Sequence, residues 1–100
     1  MRNQMRPIHP GEILLEDFLK PLGMSANALS EILHVPANRV SGIVAGKRAI
    51  TADTALRLAQ AFDTTPELWL NLQRSYDVRL VELDRDIIRD VSKIRRAAHR

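Results

Sequence analysis

Four polar residues in the middle of the chain have side chains suited to contacts with nucleic acid. Asn38 and Arg39 are adjacent, and Lys47 and Arg48 form a second adjacent pair. In the major groove an asparagine can form two hydrogen bonds with adenine, and an arginine can do the same with guanine. Cationic side chains also bind phosphate oxygens. We therefore predict that Asn38 contacts a base, that Arg39 contacts a base or a phosphate, and that Lys47 and Arg48 contact phosphates.

The segment that carries Asn38 predicts a helix with one face made of small residues. On a helical wheel Val40, Ile43 and Val44 cluster on one side, which leaves small side chains on the other. Small residues allow a helix to lie deep in the major groove of DNA, which is wide enough to admit one. The predicted DNA-contacting residues are Ala37, Asn38, Arg39, Ser41, Gly42, Lys47 and Arg48.

The distribution of charge supports this assignment more than the net charge does. The chain has 100 residues and a net charge of +3, yet no acidic residue occurs from Ile32 to Ala52. Taken alone, an Asn-Arg pair also fits a solvated helix surface, and Gly46-Lys47-Arg48 also fits an ordinary helix C-terminus. Their combination in an acid-free segment favours binding to double-stranded DNA.

Neither an enzyme nor a metal protein is indicated. The absence of cysteine excludes disulfides and thiolate ligands, and the histidines His9, His34 and His99 are too scattered for one metal ion. Glu12, Glu16 and Asp17 have the spacing of a solvated helix face, and no oriented nucleophile accompanies them. We therefore predict no enzymatic activity, no metal and no cofactor. Because no apolar run is long enough for a membrane span or a signal peptide, we expect a cytoplasmic protein.

Local signals along the chain predict helices and no strands. Pro10 suits the first turn of a helix that closes at Lys20-Pro21-Leu22-Gly23. Ser25 is a good N-cap for a second helix, and a third begins near Pro36 and runs to Ala45. Thr51 caps a fourth helix, and a fifth starts at Thr65-Pro66-Glu67. Five short helices with short connections predict an all-α bundle that contains a helix-turn-helix.

Apolar stripes at three- and four-residue steps predict which side chains are buried. In the first helix the stripe extends as far as Leu22, and in the second it includes Leu29, Ile32 and Leu33. Trp69 and Tyr76 lie two turns apart on the fifth helix, which indicates a core or a subunit interface.

The C-terminal third carries apolar residues beyond what a five-helix core requires. We predict that residues 1–83 form the DNA-binding domain and that residues 84–100 form a charged helical extension, which belongs to the same unit or to a dimer interface. The predicted interface residues of a homodimer are Leu72, Tyr76, Leu80 and Leu83. A comparable stripe continues through Ile87, Val91 and Ile94. The alternative is that this stripe folds back on its own domain.

Four stretches carry a resemblance to a known family. They are Pro7-Ile8-His9-Pro10-Gly11-Glu12-Ile13-Leu14, the helix-turn-helix ending in Gly46-Lys47-Arg48, Ile50-Thr51 with Ala55-Leu56-Arg57-Leu58-Ala59, and Thr65-Pro66-Glu67-Leu68-Trp69-Leu70-Asn71-Leu72-Gln73. With these motifs the chain resembles, over about residues 7 to 80, the HigA (VapI-related) antitoxins of the lambda-repressor-like, or XRE, helix-turn-helix superfamily.

The resemblance implies a lambda-repressor-like fold and a function in a type II toxin–antitoxin pair. Such proteins dimerise, repress their own operon by binding a palindromic operator, and neutralise a small RNA-cleaving toxin related to RelE. Since a toxin that cleaves RNA must present a basic surface, Glu12, Glu16 and Asp17 are the candidate docking residues. The alternatives are a stand-alone repressor without a toxin and a protein-interaction module that has lost DNA binding.

Overall fold

The computed structural model describes residues 6–97, and His99 lies outside that range. Within it the chain forms six helices and no strand, which confirms the all-α prediction. Helix α1 is continuous from Pro10–Ile13 through a π-helical segment, Leu14–Leu19, to Lys20–Leu22. The others are α2 (Ala26–Leu33), α3 (Asn38–Val44), α4 (Ala52–Phe62), α5 (Pro66–Glu82) and α6 (Arg85–Val91).

The helices begin at residues whose side chains cap them. Ser25, Thr51 and Thr65 accept hydrogen bonds from backbone N–H groups in the first turns of α2, α4 and α5, at N···O distances of 3.0, 3.4 and 3.2 Å. These bonds satisfy N–H groups that the start of a helix leaves unpaired. The predicted starts of these three helices are therefore confirmed, whereas α3 begins at Asn38, two residues after Pro36.

The π-helical segment changes which face of α1 is buried. The pyrrolidine ring of Pro21 cannot donate a backbone hydrogen bond and crowds the turn before it, and the N–H of Lys20 donates to the carbonyl of Leu15, five residues back. The wider turn places Leu14 and Leu19 in the core, while Leu22 is 59% exposed. The prediction that the buried stripe reaches Leu22 is therefore wrong.

The largest buried side chain is Trp69, which is fully buried and belongs to a core cluster with residues from α1 to α4. Its indole Nε1–H donates to the Thr64 hydroxyl over 2.9 Å, so the ring is buried with its polar group satisfied. This places Trp69 in the core. Ile32, predicted to be buried, is 53% exposed, and Ser30 occupies the buried position on α2 instead.

The C-terminal region differs from the rest of the fold. The fifth helix ends at Glu82, and Asp84 caps a separate helix α6 by accepting from the N–H groups of Asp86 and Ile87. The charged extension predicted from residue 84 thus begins with a helix of its own, separate from α5. All described residues from Leu80 to Ala97 are exposed. The radius of gyration is 16.6 Å, compared with about 13 Å for a compact chain of this length.

Candidate nucleic-acid interface

Ser30 joins the two helices of the helix-turn-helix. Its hydroxyl oxygen accepts from the backbone N–H of Val40, and its O–H donates to the carbonyl of Ala37, each over 3.3 Å. The N–H of Val35 also donates to the Ser30 carbonyl over 3.1 Å, inside the turn. A single buried serine therefore fixes the start of α3 relative to α2.

Helix α1 holds α3 from the other side through a direct contact of backbones. Gly11 is buried, and a methyl group in its place would overlap the carbonyl of Ile43 and lie 3.0 Å from the Cα of Val44. Glycine is required here because the two backbones approach too closely for any side chain. The position of α3 is thus set by packing on its inner face.

The outer face of α3 and the loop after it form one open concavity of about 510 Å³. Its lining includes five of the seven predicted DNA-contacting residues together with Ala45: Asn38, Ser41, Gly42, Ala45, Lys47 and Arg48. Asn38, Ser41 and both cations are exposed, whereas Val40 and Ile43 are fully buried on the inner face. The structure therefore brings these residues to one surface, with Ala37 exposed at its edge.

Gly42 lies on this surface with space for a small side chain. A Cβ at this position would meet only the Arg48 side chain, at an ordinary contact distance of 3.5 Å. Alanine is favoured over glycine inside a helix by about 1 kcal/mol. The fold would accept an alanine here, so packing within the chain does not require the glycine.

Arg39 points away from the concavity, toward the start of α4. Its guanidinium donates to the Thr54 hydroxyl over 3.3 Å and lies 3.9 Å from the Asp53 carboxylate. The Nε of Arg39 is buried and has no hydrogen-bond partner among the described residues. A base contact by Arg39 stays a prediction, but in the free protein this side chain ties α3 to α4.

Arg57 has a role that the sequence analysis did not identify. It donates from Nε to Asp53 over 2.8 Å and from its terminal nitrogen to the Leu33 carbonyl, also over 2.8 Å. The last carbonyls of α2 are thereby satisfied by a cation, which is favourable at a helix C-terminus. The spacing of Asp53 and Arg57, one helical turn, was visible in the sequence, but the contact with α2 was not.

The loop from Gly46 to Ile50 is held against α5 by residues that the sequence analysis also missed. Gln73 is buried, and its side-chain oxygen accepts from the N–H of Ile50 over 2.8 Å. His9 caps α1 by accepting from the N–H of Gly11 over 2.9 Å, and its ring lies edge-on to Tyr76, with centroids 4.8 Å apart. Burial lowers the pKa of His9, against opposing effects of the Asp77 charge and the Arg48 backbone.

The predicted acidic face of α1 is partly neutralised by ion pairs. Glu12 accepts two hydrogen bonds from Arg6, at 2.7 and 3.1 Å, which hold the pKa of its carboxyl below the ordinary value. Glu16 is paired with Lys20 over 2.9 Å. Asp17 is exposed and makes no ion pair within residues 6–97. The three carboxylates share a helix, and Asp17 is the one most available to a partner.

The predicted dimer residues fall into two groups. Leu72 is half-buried against the core of its own chain, and Tyr76 is half-buried against His9. Leu80 and Leu83 are 44% and 49% exposed. The stripe that was predicted to continue through Ile87, Val91 and Ile94 is exposed as well. Val78, Val81 and Ile88, which the prediction omitted, are also exposed.

Six helices with a helix-turn-helix, a surface of small residues on its second helix and cations at its exit define a helix-turn-helix DNA-binding domain. The sequence family described as Helix-turn-helix matches residues 15–69. The chain belongs to this family and, within it, to the HigA (VapI-related) group.

Three comparisons carry the assignment to that group. The chain is 51% identical to virulence-associated protein I of Dichelobacter nodosus over 87% of this chain and 81% of the relative. It is similar to the structure of an addiction module antidote protein of the HigA family from Coxiella burnetii, with 51% identity, 92% and 99% coverage and a TM-score of 0.83. It is also similar to the Pseudomonas aeruginosa antitoxin HigA with the higBA promoter, with 39% identity, 93% and 100% coverage and a TM-score of 0.83.

No helix within residues 6–97 is long and apolar enough to cross a membrane. In the same range no three residues of the types His, Cys, Asp and Glu are grouped as a metal site would require.

Proposed function

We propose that the chain is the antitoxin of a type II toxin–antitoxin pair and that it represses its own operon as a homodimer bound to a palindromic operator. The single observation that carries the DNA-binding part is the concavity on α3, where Asn38, Gly42 and Lys47 meet on one exposed surface. The HigA relative was solved with the higBA promoter, which supports DNA binding by the same fold. The DNA target would place the protein in the cytoplasm.

The geometry of α3 explains how this surface would bind DNA. The first turn of a recognition helix reaches the base edges in the major groove, and Asn38 is the first residue of α3. Gly42 and Ala45 have no bulky side chain that would clash with the wall of the groove. Lys47 and Arg48 follow the helix, so they would contact phosphates and fix its register without specifying sequence.

The exposed apolar residues of α5 and α6 support a dimer. Helix α6 packs against α5, yet Ile87 and Ile88 are still 41% and 42% exposed, so folding back within one chain does not cover the stripe. A two-fold interface needs only one self-complementary patch, which both copies supply. Two copies would then address half-sites about 34 Å apart, one turn of DNA.

The neutralised partner is a small basic toxin related to RelE, and its proposed docking face is the acidic face of α1. Asp17 would make the first contact because Glu12 and Glu16 already have cationic partners within the chain. Charge complementarity of this kind accelerates association more than it strengthens the final complex.

Co-expression with the small reading frame next to this gene tests the toxin part. Growth arrest by the neighbour alone and rescue by this chain are expected. Asp17→Lys should slow capture of the toxin, while Glu31→Lys, a matched charge reversal on α2, should not. Rescue without any effect of Asp17→Lys would place the docking surface elsewhere.

Binding to a duplex of the upstream promoter region, measured across salt concentrations, tests the repressor part. We expect the logarithm of the affinity to fall linearly with the logarithm of salt concentration, because bound phosphates release counterions. A stand-alone repressor would bind this duplex equally well but would have no toxin gene beside it. A protein-interaction module without DNA binding would show no such affinity.

A further inference from the structure

We propose that Gln73 and His9 are positioning residues for DNA binding: they fix the loop that carries Lys47 and Arg48 at a defined place along helix α5. The proposal rests on the DNA-binding function proposed above. It concerns residues that lie outside the concavity and would touch no DNA.

Gln73 holds the end of this loop. It is 8% exposed, and it lies one helical turn after Trp69 on the buried face of α5. Its Oε1 accepts from the Ile50 N–H over 2.8 Å, and its Nε2 donates to Asp77 over 3.0 Å. An apolar side chain would fill the same space, but it would leave the N–H of Ile50 buried without a partner. What the glutamine adds is a directional bond between the loop and α5.

His9 holds the beginning of the loop. A Cβ built on Gly46 would lie 4.0 Å from the Cγ of His9, so the ring lies close to this glycine. The ring also contacts Tyr76 on α5. Gly46 has a positive φ of 76°, which lets the loop turn at this point. The imidazole is therefore close both to α5 and to the first residue of the loop.

The two anchors have a common consequence because both end on the same rigid helix. Gln73 and Tyr76 lie on one turn of α5, and the C-terminal series of exposed apolar residues starts at Val78 on the same helix. If two copies meet through this apolar region, the distance between their phosphate-contacting loops is set through α5. Loosening either anchor would leave the interface intact and misplace Lys47 and Arg48 on the DNA backbone.

The test compares Gln73→Met, which keeps the packing volume and removes both hydrogen bonds, with a control that alters a buried residue of another helix. Leu19→Val is the control, since Leu19 is a buried residue in the second half of α1; conditions are chosen so that both variants are folded. Lys47→Ala is the reference variant for the size of the effect. Loss of one phosphate contact lowers by about 0.9 the magnitude of the slope of the logarithm of affinity against the logarithm of salt concentration, which we call the salt slope. We expect Gln73→Met to weaken promoter binding by roughly 2- to 30-fold and to lower the slope, while Leu19→Val changes neither.

A second pair of variants keeps the proposal testable if Gln73→Met fails to fold. Gln73→Glu alone places two carboxylates next to each other. In the double variant Gln73→Glu with Asp77→Asn, the amide at residue 77 becomes the donor and the carboxylate at residue 73 the acceptor. The net charge of the double variant equals that of the parent. We expect the double variant to recover affinity and slope relative to the single one. His9→Asn retains an acceptor for the Gly11 N–H but loses the ring, and it should also lower the slope.

Parental affinity and slope in Gln73→Met, or no recovery in the double variant, would overturn the proposal. Absence of salt-dependent binding by the parent chain is a different result, because it would remove the proposed function itself.

Discussion

Two regions of the molecule differ in how closely the chain packs against itself. One is the contact between α1 and α3, and the other is the C-terminal region beyond Asp77. At the first, Gly11 lies so close to the Ile43 carbonyl that not even a methyl group fits between them. In the second, every described residue from Val78 to Ala97 except Arg79 is exposed, including a series of large apolar side chains.

The difference indicates that the two regions are stabilised in different ways. The position of α3 is determined within one chain, since the packing around Gly11 and Ser30 admits one arrangement. Helix α6 has seven residues, and isolated helices shorter than about 12 residues are marginal in water. Its stability must therefore come from what covers its apolar side chains. The same chain thus combines a DNA-binding domain that is packed within one chain with a region whose apolar side chains the chain itself leaves exposed.

Removal of the C-terminal region gives the largest expected effect. A chain cut after Asp77 retains the Gln73–Asp77 bond and the whole core, so it should fold. We expect a monomer by light scattering, with promoter affinity lowered by roughly 10²- to 10⁴-fold because two linked half-sites no longer bind together. The full-length variant Leu80→Asp should do the same without truncation. A truncated protein that is still fully dimeric would exclude this region as the interface.

Gly11→Ala should have the next largest effect. The added methyl group must separate two backbones, and overpacking of a core typically costs 1–3 kcal/mol; because backbone cannot move aside as a side chain can, we expect about 3 kcal/mol. The matched control is Gly42→Ala, which should raise the free energy of unfolding by up to about 1 kcal/mol. Chemical denaturation measures both. Equal stability of the two variants would mean that α1 and α3 are not in backbone contact.

The parts of the fold that the sequence predicted are those determined locally. The sequence predicted three caps, Ser25, Thr51 and Thr65. Such caps are predictable because each hydroxyl bonds to a backbone N–H only three residues away. Burial of Leu22 and Ile32 was predicted wrongly. The π-helical segment shifts the register of α1, and a hydroxyl bridge gives Ser30 the place expected for an apolar residue.

The same division applies to the candidate site. Periodicity alone predicted the outer face of α3 with its small side chains, because that face lies opposite the buried residues Val40 and Ile43. Arg39 and Gln73 could not be placed, since their partners lie 15 and 23 residues away in sequence. The direction of an arginine side chain depends on the groups that the neighbouring helix presents. The local sequence around the arginine does not show those groups.

Asn38→Ala separates the two faces of α3. Its side chain is exposed, so stability should be unchanged, while loss of a bidentate base contact should weaken promoter binding by about 1–3 kcal/mol. Arg39→Ala, by contrast, should lower stability as well, because it removes the bond to Thr54. Unfolding curves and binding isotherms for both variants check this. Unchanged affinity and sequence preference in Asn38→Ala would show that this face does not read bases.

The smallest expected effect is a pH dependence that arises at His9. Burial lowers the pKa of this group in the folded chain below the ordinary value of 6.5, so the unfolded chain binds the proton more readily. Stability therefore rises with pH in this range. The contribution of His9 is complete above the unfolded value and is lost as the pH falls through the folded pKa. Protonation also removes the acceptor that caps α1, because Nδ1 then carries a hydrogen.

The measurement is the free energy of unfolding at pH 7.5 and at pH 5.5, for the parent and for His9→Asn. Asparagine also accepts a hydrogen bond at an N-cap but does not titrate. Loss of the contact with Tyr76 should make the variant less stable at both pH values. Its decrease between them should be smaller than the parent's, because the His9 contribution is gone. An equal decrease in both proteins would assign the acid sensitivity to other groups and leave His9 with a purely structural role at the junction of α1 and α5.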